Sequence, residues 1–201
     1  MQTGNKTFPE IITLPDGTNI EMVKVQAGTF TMGGRDRDSQ NDEKPLHQVT
    51  LTEDFWIGKY EVTQQQYRAV MGFMPAAFHG NDLPVENLTW FAAVDFCEKL
   101  NELTKGSRPR GYKFSLPTEA QWEYAARGGR QASESRYSGN DNIENVSWYS
   151  GNSGRRTHQV GQKQFNELGL FDMSGNVWEW CLDAQNTYTS SNNINPVTTV
   201  R

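Results

Sequence analysis

Within the strand-like stretches of the first sixty residues, apolar and polar positions tend to alternate with a period of two. After that the period lengthens to three or four. A period of two places alternate side chains on opposite faces of a strand, and a period near 3.6 places them on one face of a helix. Ile11-Ile12 precedes Leu14-Pro15-Asp16-Gly17-Thr18-Asn19. Proline presets φ and glycine supplies a positive φ, so Pro-Asp-Gly predicts a hairpin turn. The pattern predicts strands at Glu21-Met22-Val23-Lys24-Val25 and Gly28-Thr29-Phe30-Thr31-Met32. Further strands are expected at His47-Gln48-Val49-Thr50-Leu51-Thr52 and Phe55-Trp56-Ile57-Gly58-Lys59-Tyr60. Between the second and third of these, residues 35–48 begin as an almost wholly polar stretch, expected to be a solvated loop.

Three helices follow from caps and spacing. Thr63 with Gln66 forms a capping box ahead of Gln64 to Met71, and Gly72 ends the helix. Thr89 caps the longest helix, where Trp90, Ala93, Val94, Cys97, Leu100 and Leu103 recur at helical spacing and read as its buried stripe. Pro117-Thr118 with Gln121 opens a third, Glu119 to Arg127, closed by Gly128-Gly129. Tyr112-Lys113-Phe114-Ser115-Leu116 reads as a short strand. Residues 130–160 read as a long packed loop around Trp148-Tyr149, and the Ser/Asn/Thr-rich tail from Thr187 to Arg201 reads as mobile or incomplete.

The densest chemistry lies in Gly169-Leu170-Phe171-Asp172-Met173-Ser174-Gly175-Asn176-Val177-Trp178-Glu179-Trp180. Tryptophan carries a large apolar surface and an N–H that needs a partner when buried, so Trp178 and Trp180 are expected in the core. Carboxylates are the natural ligands of a hard cation such as calcium, which takes six to eight oxygens in flexible geometry. Two readings of Asp172 and Glu179 stay open on residues alone. Either they meet at one metal ion, or they bond only to backbone in a Trp-rich core loop.

Composition narrows the function. The chain has 201 residues, 35% of them hydrophobic, with six Trp and a net charge of −5. The size suits one domain, and the acidic balance argues against a general nucleic-acid binder. No apolar run reaches the length of a membrane span, and Met1-Gln2-Thr3-Gly4-Asn5-Lys6 starts no signal peptide, which leaves the compartment open if a leader was removed. Cys97 and Cys181 are too few for a disulfide framework and lack zinc spacing. His47, His79 and His158 show no catalytic spacing, and no P-loop is present.

The motifs taken together resemble the formylglycine-generating enzyme family, also called sulfatase-modifying factor domains. The resemblance runs through Ala27-Gly28-x-Phe30-x-Met32-Gly33, Tyr60-Glu61-Val62-Thr63, Leu88-Thr89-Trp90, Leu116-Pro117-Thr118-Glu119-Ala120-Gln121-Trp122-Glu123-Tyr124 and the segment from Gly169 to Trp180. It covers roughly residues 20–185 of a single domain over 1–201. It implies an α+β, C-type-lectin-like fold, loop-rich with short strands and about three helices. It also implies one structural calcium, held by the Asp172 and Glu179 side chains and the Gly175 and Val177 carbonyls. Ligands matching the family's second calcium are not evident around Val146-Ser147-Trp148.

Enzymes of the family oxidise a sulfatase cysteine to formylglycine with copper held by two cysteines in a C-terminal part. That part opens after a Val-Arg pair, and this chain stops at Val200-Arg201. Cys97 and Cys181 do not match the copper cysteines, so copper would need a further C-terminal part. The resemblance therefore implies a sulfatase-modifying-factor-type domain, inactive as given. The alternative is a non-catalytic module on the same scaffold, binding a protein or peptide ligand, of the retroelement-diversified type or as a structural subunit of a bacterial assembly. A sulfoxide synthase of the ergothioneine type would need an additional helical domain with a three-histidine iron site, which this chain lacks.

Overall fold

The computed structural model describes residues 10–34, 39–185 and 187–198. The hairpin forms as expected. β1 (Ile11–Thr13) pairs antiparallel with β2 (Asn19–Val25), joined by a turn in which Gly17 N donates to Leu14 O. Gly17 sits at φ +87, a conformation open to glycine at little cost. β3 (Gly28–Met32), β4 (His47–Leu51) and β5 (Phe55–Gly58) follow.

The strands do not share one sheet. One sheet has the order β1-β2-β5. The other has β3-β4-β6, where β6 (Asn193–Ile194) lies parallel to β4. Residues 199–201 of the tail lie outside the described residues, and within the rest Asn193 and Ile194 pair with Val49 and Thr50 while the Asn195 side chain bonds Thr52 through both its oxygen and its nitrogen, an ordered segment where a mobile one was expected. A polar Asn/Thr stretch gives no hydrophobic signal, yet its backbone completes a ladder. Arg35, Asp36, Arg37 and Asp38 of the expected solvated loop lie outside the described residues, and Asn41–Glu43 of that loop form a 3₁₀ turn.

The capping signals hold. Thr63 and Thr118 close reciprocal capping boxes on α1 (Gln64–Met71) and α3 (Glu119–Ala126), and Thr89 caps α2 (Trp90–Leu103) through a bond from Ala92 N. A fourth helix is a single turn, α4 (Ile143–Val146). The buried stripe of α2 is Ala93, Phe96 and Leu100, with Cys97 half-buried on its shoulder. Leu103 is exposed, contrary to expectation, because the chain below it turns away after Thr104. Residues 112–116 join no ladder. The Asn101 carboxamide takes the place of a partner strand there, donating to Phe114 O at 2.7 Å and accepting from Phe114 N at 2.8 Å.

Two apolar clusters form the interior. Val25, Met32, Val49, Leu51, Tyr124, Ala125, Leu170 and Met173 pack between the β3-β4 pair and α3. Ile12, Leu14, Ile20, Tyr67, Val70, Phe96 and Leu100 pack between the hairpin and the α1-α2 pair. Each large side chain buried in this way stabilises the fold by about 1.5–3 kcal/mol. The segment from Asn166 to Val177 contributes Leu170 and Met173 to the first of these.

Candidate metal centre

A tight turn sets up the centre. Gly169 N donates to Asn166 O at 2.8 Å, with Gly169 at φ +80. Asn166 is buried and fully used. Its oxygen accepts from the N–H groups of Leu168 and Leu170, and its nitrogen donates to Ala125 O and Ser138 Oγ. This ties the turn to the C-terminal end of α3. Leu170 then drops into the core, and Phe171 stacks on Tyr60 at 5.0 Å between ring centres.

The next residues turn back sharply. Asp172 at φ +59 and Asn176 at φ +67 are both left-handed, a region that Asp and Asn tolerate better than other side chains. Between them lies Gly175. A Cβ there would stand 2.1 Å from Ser147 Oγ and 2.4 Å from Trp148 O, so only glycine fits. Part of the 130–160 loop, expected only to be packed, lies against this turn. Asn176 N donates to Trp148 O, Ser147 Oγ donates to Ser174 O, and His158 stacks on Trp148 at 3.8 Å.

Three carboxyl groups face this turn. Asp172 is 3% exposed. Its Oδ2 accepts from Gly161 N at 2.7 Å, and its Oδ1 is buried with no hydrogen-bond partner. Burial pushes the Asp172 carboxyl up, against a partial lowering by the Gly161 N–H. Glu179 is exposed as a residue, yet its carboxyl end is withdrawn from water. Burial pushes that carboxyl up to about 7. The nearby Trp122 N–H opposes the rise and Asp172 repulsion adds to it. The Trp122 N–H lies close enough to act on Glu179 but meets no acceptor in hydrogen-bond geometry.

Glu61 is the third carboxyl, and the sequence reading gave it no role. It follows β5 and is 6% exposed, with Oε2 accepting from Asn176 Nδ2 at 2.7 Å and Oε1 accepting from Val177 N at 3.0 Å. Burial holds its carboxyl well above the ordinary range, and repulsion from Glu179 and Asp172 adds to this. The available signal was an acid wedged between Tyr60 and Val62 at the mouth of a helix cap. Among the described residues, no three carboxylate, imidazole or thiol groups gather tightly enough to hold a cation by themselves. A cation here would need backbone carbonyls, as hard-cation sites often use. The residues fit that demand, with an orphaned buried oxygen on Asp172 and a backbone folded sharply at residues 172–177.

Trp178 and Trp180 are a correction. They are 99% and 49% exposed rather than buried, and only Trp180 has an indole bond, to Leu88 O at 3.0 Å. The turn that brings Asp172 and Asn176 inward carries the following residues to the surface. Trp90 Nε1 reaches Cys181 O at 2.8 Å, which holds the segment against the start of α2. Cys97 and Cys181 are both free thiols, pushed up by burial to about 11 and about 12.

A family model described as a sulfatase-modifying factor enzyme 1-like domain matches residues 7–199. The chain belongs to this family. Among relatives of this sulfatase-modifying factor domain is the chaperone protein LppX of Paenibacillus barcinonensis, 36% identical over 207 residues, covering 80% of this chain and 70% of that protein. A serine/threonine-protein kinase, pkn1 of Chlamydia pneumoniae, is 31% identical over 81% of this chain, which spans only 28% of the kinase. Among solved structures, Treponema denticola variable protein 1 superposes with a TM-score of 0.77 at 30% identity, covering 92% of this chain and 80% of that one. The C-type-lectin-like, mixed α and β architecture expected from the sequence is thus the fold of the domain. Among the described residues no helix is long and apolar enough to cross a membrane.

Proposed function

We propose that this sulfatase-modifying factor domain is clamped by one calcium ion and works as a binding module rather than as a copper oxidase. The observation that carries the calcium reading is the Asp172 Oδ1 atom, buried beside two further withdrawn carboxyls with no hydrogen-bond donor of its own. Asp172 and Glu179 would supply side-chain oxygens, and Gly175 and Val177 would supply carbonyls. Glu61 acts as a positioning residue, because it grips Val177 N and Asn176 Nδ2 and so holds the 175–177 backbone in place. When bound, the ion supplies the positive charge that lets these carboxyls stay ionised inside the fold.

The binding reading rests on the comparisons with known proteins. The likeness to variable protein 1 and to a chaperone supports a scaffold that presents a surface.

Two measurements on the purified chain test the two parts. Thermal unfolding is followed in chelator and in calcium, and a peptide carrying a sulfatase cysteine is incubated with the chain, copper and oxygen and read by mass spectrometry. The expected result is a melting temperature raised by calcium and an unchanged peptide. A transition blind to calcium overturns the clamp, and formylglycine in the peptide overturns the binding reading.

A further inference from the structure

The turn at residues 172–177 holds more than the metal centre. Ser147 Oγ donates to Ser174 O at 2.8 Å, and Asn176 N donates to Trp148 O at 2.8 Å. The Asn176 side chain then spans His158, accepting from His158 N at 2.9 Å and donating to His158 O at 3.1 Å. Gly161 N closes the set on Asp172 Oδ2 at 2.7 Å. The loop of residues 147–161 is therefore fastened near both of its ends by one short turn. One further tie runs elsewhere, from Val160 N to Asp82 O.

The atoms that hold the loop alternate with the atoms assigned to the ion. Asp172 gives Oδ2 to the loop and keeps Oδ1 unpartnered. Ser174 O and the Asn176 N–H and carboxamide go to the loop, while the Gly175 and Val177 carbonyls between and beside them are assigned to the ion. Gly175 also lies so close to Ser147 and Trp148 that a Cβ would collide with both. A displacement of the turn therefore cannot reach one set of atoms and spare the other.

Inside the loop, support is local. Residues 147–161 join no helix or strand. Asn152 N and Ser153 N donate to Tyr149 O, and a His158 ring nitrogen bonds Ser153 O at 2.8 Å. A segment held by local bonds and a few fastenings opens at lower cost than the core and can do so by itself.

We propose that the metal centre is a switch for this loop. An ion on Asp172 Oδ1 and on the carbonyls of Gly175 and Val177 fixes the turn, and the fixed turn holds residues 147–161 in place. With the centre empty, the turn loses that restraint and the loop opens locally. Coupling of this kind is reciprocal, so a loosened loop also binds the ion more weakly. The switch rests on the calcium reading above and adds regulation to it, because the shape of residues 147–161 then follows the calcium concentration.

The test follows amide hydrogen exchange of the whole chain in calcium and in chelator. The amides of His158 and Gly161 report the fastenings, and the amide of Tyr67, bonded to Thr63 O in α1, reports the rest of the fold. The expected result is exchange at His158 and Gly161 slowed about tenfold by calcium, with a smaller change at Tyr67. Ser147→Ala removes one fastening and leaves the assigned ligands intact, so calorimetry should find its calcium affinity about fivefold weaker than the parent's. Parent-like affinity in that variant overturns the coupling, and if the variant does not fold, exchange in the parent chain decides. A melting temperature raised by calcium with unchanged exchange at His158 and Gly161 overturns the switch and leaves the clamp standing. Equal slowing at Tyr67 and in the loop also overturns it, because the ion then stabilises the whole fold alike. A chain whose melting temperature and exchange both ignore calcium fails at the clamp itself, and the switch falls with it.

Discussion

Asn176 Nδ2 donates a 2.7 Å hydrogen bond to Glu61 Oε2 across 115 positions of sequence. Glu61 Oε1 accepts from the neighbouring Val177 N, so one buried carboxylate fixes two donors on the inner side of the turn. The carboxylate belongs to the β1-β2-β5 end of the molecule and the turn to the chain that follows α3. This pair is therefore a joint between the two.

Glu61→Ala leaves the Val177 N–H and the Asn176 amide without acceptors in a buried place. A buried donor left unsatisfied costs about 1–3 kcal/mol. Denaturant unfolding in chelator should show a loss in that range with an unchanged slope. A variant as stable as the parent would show that water replaces the carboxylate.

The carboxyl of Glu179 is raised from an ordinary 4.5 to about 7, and those of Glu61 and Asp172 are also raised, each by burial first. A folded-state pKa above the unfolded value means that the folded chain holds its proton more tightly. The associated stability is full below the unfolded value and is lost as pH rises through the folded one. In chelator, the melting temperature should therefore fall between about pH 4.5 and pH 7. Calcium favours the ionised carboxyls, so saturating calcium should flatten or reverse that slope. Asp172→Asn should reduce the response to calcium. Parallel pH profiles in chelator and calcium would count against the centre.

Gly175→Ala tests the shape of the turn without touching its charges. The added Cβ would meet Ser147 Oγ at 2.1 Å and Trp148 O at 2.4 Å, one of them backbone. Forcing an extra methyl into such a place costs about 1–3 kcal/mol. The loss should appear with calcium as well as without it, and near-ultraviolet dichroism should report the displaced Trp148.

Trp178→Ala and Leu170→Ala should behave oppositely. Trp178 is 99% exposed, so its loss should change stability by no more than about 0.5 kcal/mol. Leu170 is 1% exposed within the first core cluster, so its loss should cost about 2–5 kcal/mol. Equal costs for the two would place Trp178 in a packed interface in solution.

Local chemistry was legible wherever the signal was short-range. Pro15-Asp16-Gly17 marks the hairpin, and Thr63, Thr89 and Thr118 mark their helix starts, because a turn or cap is closed by residues within four positions. The α2 stripe was half legible. Its spacing admits two neighbouring phases, and contact with α1 selected the one with Phe96 in place of Leu103. The strand expected at residues 112–116 failed because alternation sets the faces of a segment but supplies no partner, and here the partner is the Asn101 side chain. The ladder in the tail was missed in the opposite sense, since Asn193 and Ile194 owe it to β4 and to nothing in their own pattern.

The family motifs placed Asp172, Gly175, Val177 and Glu179 in one short segment, and residue types alone made that segment a candidate for a hard cation. Tertiary structure decided which groups face inward. It added Glu61 from 115 positions away, left the Asp172 Oδ1 atom without a donor, and turned Trp178 out to solvent. The physical reason is range. Turns, caps and periodicity are set by interactions between near neighbours in the chain. Burial, charge repulsion and the exposure of a side chain depend on what the folded chain brings alongside it, which a linear pattern does not contain.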